Sequence, residues 1–363
     1  MSWLLVFGGL CALIVLHEAG HFVAAKATGM RVEKFFLFFG PKLVSVKRGE
    51  TEYGIAAIPL GGYVKITGMN PEEEFPAEIE HRAYYHQPVW KRIVVIAAGP
   101  AVNIALGFLI LVVVALASST TATQTVHEVV PKTPAAGALK PGDRILAVDG
   151  HSYPRLEGEA RVERFREQIA RHRCVGEQRD GCTAATPVDL RIRRDGQVTE
   201  IRVKPQYSAS AGQALVGFSF DSRPTSISLD AAISRSANLA WLVTRETSTR
   251  IARIFDPEQR KEISGIVGVS DVGHERIGLG AAAAFTFLAL ISLSLGLVNL
   301  FPFLPLDGGH IFWSLMEKLR GQPISLRTME WASAVGIVLV AILFFIGLTN
   351  DIGRITGEGF HVR

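Results

Sequence analysis

Ile14-Val15-Leu16-His17-Glu18-Ala19-Gly20-His21-Phe22-Val23 places a polar cluster inside an apolar run that extends from Trp3 to Ala25. On a helix, His17 and His21 lie one turn apart on one face, where both imidazoles can bind one Zn²⁺. Glu18 sits beside the first of them and can take a proton from an attacking water. His-x-x-x-His also arises by chance on ordinary helices. Inside a membrane span that bland reading weakens, because the polar groups have no water to satisfy them. A charged group near the bilayer centre costs roughly 2.5–3.5 kcal/mol to insert, so a segment that carries one is expected to carry chemistry.

The rest of the chain supports a membrane setting. It has 363 residues, of which 48% are hydrophobic and only 20% charged, and its mean hydropathy is +0.26, too apolar for an ordinary soluble enzyme. Four apolar runs, Trp3–Ala25, Ile93–Ala117, Ala281–Phe301 and Ala332–Leu348, are each about long enough to cross a bilayer. The first is a poor signal peptide: it lacks a basic flank and continues past the usual length of the apolar region into the histidine cluster. Net charge is +4, but the basic residues are scattered and many flank the spans, which suits anionic lipid heads rather than nucleic acid.

Lys26–Arg92 and Lys318–Arg327 are basic loops, and the positive-inside rule makes both cytoplasmic. The N-terminus, the segment of about Ser118–Gly280 and the C-terminus are then expected outside. Arg31–Ile66 reads as strands with turns at Gly40-Pro41 and Arg48-Gly49-Glu50. Its Phe35–Phe39 tip is either buried in a hairpin or dips into the membrane. Thr125–Pro205 reads as a compact soluble domain with a strand at Ile145–Val148, a helix at Val162–Ala170 and a hairpin around Asp195-Gly196. In Leu229–Ile263 the apolar residues Leu229, Ile233, Ala237 and Trp241 recur every fourth position. They predict an amphipathic helix lying on the membrane or packed on the soluble domain. Cys11 lies in the first span; Cys174 and Cys182 lie close together in the large loop, either bridged or free.

A catalytic zinc site commonly uses three protein ligands. Asn299-Leu300-Phe301-Pro302-Phe303-Leu304-Pro305-Leu306-Asp307-Gly308-Gly309 ends the third span, and its prolines break the helix before Asp307. Spans one and three run in the same direction. His17 lies about 21 Å along the helix from Trp3, in the cytoplasmic half, and Asp307 falls at the cytoplasmic end of its own span. Asp307 is therefore the expected third ligand, with Glu317 and His310 as rivals and His310 also a possible partner of a ligand. Asn299 and Asn103, amides in apolar helices, either bond a neighbouring span or face substrate.

These residues resemble the site-2 proteases, intramembrane zinc metalloproteases. The resemblance rests on His17–His21, on Leu306-Asp307-Gly308 after Asn299 and Pro302, on Pro59–Lys65, and on Gly99-Pro100-Ala101-Val102-Asn103. Val130–Gly150 is similar to a PDZ domain, single rather than tandem, with an insertion over Leu156–Thr186. Two positions depart from the family pattern: Leu304 stands where a proline is usual, and Phe38 where the loop usually has glycine.

The resemblance implies a polytopic α-helical membrane protein of four transmembrane helices, with a membrane-associated β-hairpin or sheet and one extracytoplasmic PDZ-like α+β domain. The expected division is residues 1–117 (spans 1 and 2, zinc motif, β-loop), 118–227 (PDZ-like domain), 228–280 (amphipathic connector) and 281–363 (spans 3 and 4). His17, His21 and Asp307 would hold Zn²⁺, Glu18 would be the general base and Asn299 would position substrate. Implied substrates are single-span membrane proteins such as anti-sigma factors, already trimmed by another protease. The implied location is the cell membrane. A PDZ scaffold without catalysis and a metal-ion transporter are the rival classes. The first would not need Glu18, and the second would stack several ligand clusters along a pore, where the sequence offers one.

Overall fold

A computed structural model describes residues 2–70, 72–209, 211–253, 266–322 and 324–356. Two compact units emerge. One combines the N-terminal 115 residues with the chain from Leu229 onward; the other is Leu116–Ser228.

The first unit begins with α1 (Ser2–Ala27). A β-ribbon follows, β1 (Val32–Arg48) with β2 (Thr51–Ile66). Next come α2 (Val89–Ser118) and, after the second unit, α4 (Leu229–Ala252), α5 (Ile266–Gly278), α6 (Ala281–Asn299), α7 (Asp307–Arg320) and α8 (Leu326–Thr356). Among the described residues, four segments are long and apolar enough to cross a membrane: Leu4–Ala27, Val89–Ser118, Ala281–Asn299 and Arg327–Gly353. The protein is a multi-pass membrane protein. Its helices turn apolar residues outward, Leu109, Val113, Val335 and Ile337 among them, all more than half exposed. Between helices the contacts are made by small residues. A β-carbon on Gly20 would collide with the Ala98 carbonyl, and one on Gly296 with the Pro100 carbonyl. Close backbone approach of this kind is how helices associate where lipid removes the hydrophobic drive.

The ribbon is not a simple hairpin. Phe35 pairs with Val64 on one side and Tyr53 on the other, and Leu37 with Gly62 and Ile55. Residues 34–37 are thus flanked on both sides. The expected turn at Gly40-Pro41 is a bend inside a continuous β1, with Phe38 at φ 72° and Gly40 at φ 86°. Phe36 is buried and stacks on Tyr63 at 5.5 Å, while Phe35 meets Phe22 of α1.

Helix α4 packs within the first unit with its apolar stripe turned outward. Leu229, Ile233 and Trp241, the stripe that marks it as amphipathic, are exposed, whereas Ala232 and Ser236 are buried. Leu239, Ala240 and Val243 pack beside Leu111, Ala289 and Leu293 of α2 and α6. Beside a membrane span the large apolar residues suit lipid and the smaller ones suit the protein, the reverse of a soluble helix. The part of the predicted helix over residues 254–263 lies outside the described residues.

The second unit is built the ordinary way. Its five-stranded sheet has the order β6-β5-β4-β3-β9, formed by β3 (Thr120–Val129), β4 (Arg144–Val148), β5 (Val188–Arg194), β6 (Gln197–Val203) and β9 (Phe218–Pro224). Val188, Leu190 and Ile192 alternate inward along β5 and join Val162's helix α3 (Gly158–Ala170) through Phe165 and Ile169 in one core. A small ribbon, β7 (Gln206–Ser208) with β8 (Gln213–Leu215), completes it. Cys174 and Cys182 are disulfide-bonded, their Cα atoms 6.1 Å apart.

Candidate metal centre

Three elements far apart in sequence converge on one point. His17 and His21 project from α1, their rings 4.8 Å apart and edge-on. Asp307 is the first residue of α7, delivered there by the turn Leu300–Leu306, which closes with Leu306 N–H donating to Phe303 O (2.9 Å) and Gly309 N–H to Leu306 O (3.0 Å). Asp307 Oδ2 lies 3.2 Å from His17 Nε2 and 3.4 Å from His21 Nε2, and the two Nε2 atoms are 3.2 Å apart. Among the described residues, this is the cluster of three such side chains able to hold an ion, their donor atoms within 4.8 Å of one another. Both histidines are 7% exposed.

The surroundings fit a cation. Among the described residues Asp307 Oδ2 is buried with no hydrogen-bond donor other than the two imidazole nitrogens beside it, which leaves an acceptor aimed at the point between the imidazoles. His21 Nδ1 is 2.9 Å from the Val95 carbonyl. The bond requires Nδ1 to carry the proton, so the Nε2 lone pair faces Asp307. Room is kept by Gly99 of α2, where a β-carbon would collide with His21 Nε2. His17 Nδ1 lies 3.2 Å from the amide of Asn103, which is wholly buried. Among the described residues Asn103 Oδ1 has no hydrogen-bond partner. Turning the amide over would let its oxygen accept from His17 Nδ1–H and free Nε2 as a donor atom, as in His21. Asn103 is held from behind, its carbonyl accepting from Ser292 Oγ at 2.8 Å.

Glu18 faces a cavity of about 640 Å³ that also contains His17, His21, Asp307, Asn299 and His310, walled by Gly61, Gly62 and Tyr63 of β2. A β-carbon on Gly62 would stand 2.9 Å from Glu18 Cγ, so the ribbon approaches the carboxylate as closely as backbone allows. His17, Glu18, His21, Asn299, Asp307 and His310 thus border one space, while Asn103 stands behind His17. Glu317 does not: ten residues beyond Asp307, it pairs with Arg92. Sequence reasoning did not find the roles of Val95, whose carbonyl acts and whose side chain carries no signal, or of Asn103 as the partner of His17. The amide in an apolar helix was the available sign.

Residues 5–343 match the model of peptidase family M50. The chain is 32% identical to zinc metalloprotease Rip1 of Mycobacterium tuberculosis over a 376-residue alignment covering 93% of each chain. It is 33% identical to zinc metalloprotease Rip1 of Mycolicibacterium smegmatis over 372 aligned residues, covering 89% of this chain and 87% of that one. The fold, the converging donors and these similarities lead to one assignment: the chain is a zinc metalloprotease of peptidase family M50, the site-2 protease family.

Proposed function

We propose that the protein cleaves single-span membrane proteins within their transmembrane segments, at a zinc ion held by His17, His21 and Asp307. The observation that carries this is the convergence of those three donors beside Glu18 in one cavity. Zinc, when bound, supplies Lewis acidity toward water and the scissile carbonyl. Glu18 takes a proton from the attacking water and delivers it to the leaving amide nitrogen. Asn299, across the cavity, donates to the substrate backbone and fixes its register.

A substrate helix satisfies its own amides, so it must unwind before a peptide bond reaches Glu18. Residues 61–64 of β2 border the cavity, and among the described residues 62–64 pair with the ribbon's inner segment on one side only. The other side offers main-chain groups to an extended segment. The ribbon then works at membrane depth, covered by protein as backbone there must be.

The Leu116–Ser228 unit is the PDZ-like domain, and it lies outside the cell membrane. The basic loops at Lys26–Arg92 and Lys318–Arg327 motivate that placement. It supplies no group to the zinc cluster and acts as a filter, admitting substrates already trimmed by another protease.

The test of the chemistry is Glu18→Gln in the purified full-length protein. Cleavage of a model transmembrane substrate should fall by at least ~10²-fold, the lower end of what a general base contributes, with zinc content unchanged. Turnover near the wild-type rate would overturn the assignment of Glu18.

A further inference from the structure

Four positions of α2 form one stripe, spaced three or four residues apart: Arg92, Val95, Gly99 and Asn103. The last three each serve the metal centre, by holding His21, leaving room and holding His17. Arg92 is the member without a stated purpose. Its guanidinium makes a two-pronged contact with Glu317 of α7, Nη2 to Oε1 at 2.6 Å and Nη1 to Oε2 at 3.0 Å. The arginine side chain is 3% exposed. It lies 5.9 Å from the ring of Tyr84 and 5.4 Å from that of Tyr85. Among the described residues its Nε, also buried, has no hydrogen-bond partner.

We propose that the Arg92–Glu317 pair is a positioning device for Asp307, setting the pitch and rotation of α7 so that the third donor meets the two histidines. Geometry excludes Glu317 itself from the centre: ten residues of helix carry it about 15 Å from Asp307. Both ends of α7 then refer to α2. Glu317 is gripped by Arg92, and Ile311 packs on the cluster that contains Val95 and Ile96. A planar, two-pronged ion pair fixes direction as well as distance, which a single apolar contact does not. Buried pairs of this kind add little net stability over apolar residues of the same shape, so specifying orientation accounts for the presence of this one. The two histidines share one helix and need only side-chain alignment. Asp307 arrives on a separate helix and needs alignment of the whole element.

The inference rests on Asp307 being a zinc donor, so Asp307→Ala is measured beside it. The experiment uses the purified full-length protein, with zinc affinity from chelator competition and the visible spectrum of the cobalt-substituted form. Glu317→Gln and Arg92→Lys should each weaken zinc binding by ~10–100-fold, the range seen for groups that orient ligands, and should change the cobalt spectrum. Exchange of the two charges, Arg92→Glu with Glu317→Arg, should recover most of the affinity. Glu317→Asp keeps the charge and shortens the reach, and it serves if the neutral variants do not fold; it should weaken zinc binding in the same direction. If Asp307→Ala loses zinc while Glu317→Gln and Glu317→Asp bind as wild type with an unchanged spectrum, the positioning role is wrong. If the exchanged pair is as poor as the single variants, the pair is not what aligns α7. If Asp307→Ala itself binds zinc normally, the donor assignment fails instead.

Discussion

Each of the two units holds an arginine–carboxylate pair with one member buried, Arg92 in the first and Asp143 in the second, and the two pairs are embedded in opposite materials. In the Leu116–Ser228 unit, Asp143 is 2% exposed and accepts from Arg194 Nη2 at 2.6 Å and Nε at 2.8 Å, and from the Lys140 amide at 2.8 Å. Around it lies an oil-like core in which Val188, Leu190 and Ile192 are wholly buried and charges face out. In the membrane unit, Arg92 and Glu317 pair among helices whose large apolar residues face out. Hydrophobic burial gives the Leu116–Ser228 unit both cohesion and specificity. The spans surrender most of that drive to lipid, so glycines and polar contacts must decide which helix meets which, and where.

The comparison predicts that polar changes damage one unit and apolar changes the other. The largest effect belongs to Asp307→Ala. Zinc content should fall to a small fraction and proteolysis with it, while the Cys174–Cys182 bridge and the second unit's unfolding transition stay as they are; metal analysis and non-reducing mass measurement on one sample check both. A second test reverses the chemistry. Leu190→Ala should destabilise the second unit by about 2–5 kcal/mol, as buried leucine truncations do, with zinc content unchanged. Val335→Ala, at a position 65% exposed on α8, should cost less than ~1 kcal/mol in lipid or detergent. Equal losses from the two would erase the distinction drawn between the units.

Next in size is the disulfide. Replacing Cys174 and Cys182 by serine frees a loop of eight-residue separation, worth about 2–3 kcal/mol on the loop-entropy account. It should lower the second unit's melting temperature and leave zinc affinity alone. The smallest effect concerns pH. Arg82, and then Lys26, hold the Glu50 carboxyl down at about 2. A depressed acid contributes its full stabilisation above the ordinary carboxylate range near ~4.3 and loses it as pH falls toward the folded value. A fluorophore on a cysteine at Lys47, in a background lacking native cysteines, should report loosening of the ribbon's turn between about pH 4.5 and 2. Glu50→Gln should be loose at pH 7 already and show no such step.

The contrast also explains what the sequence could reveal. His17 and His21 were legible because helical pitch converts a spacing of four into one face, and Asp307 because two parallel spans put it at a matching depth. The hairpin around Asp195-Gly196 was legible from its turn residues, and it carries Val188, Leu190 and Ile192 on the strand that leads into it. Asn103 meets His17 across 86 positions, and Arg92 meets Glu317 across 225. No local period encodes such partners, which depend on which helices become neighbours. For the same reason the stripe of Leu229, Ile233 and Trp241 left two readings open: periodicity finds a helix face but does not say whether lipid or protein covers it. The β-ribbon's doubled pairing depends on a bend at Phe38 and Gly40 that the turn residues marked without showing which segments it would bring together.

Gly99 has a use beyond permitting the fold. A β-carbon there would stand too close to the donor nitrogen of His21 for both to stay, so the imidazole must swing aside. Gly99→Ala would therefore bend one leg of a tripod without cutting it. The chain keeps all three donor side chains and loses the point at which they meet. Such a protein would test how much of the affinity comes from alignment of the donors, and it offers a route to a catalytically silent protease for capturing substrates with Glu18 still in place.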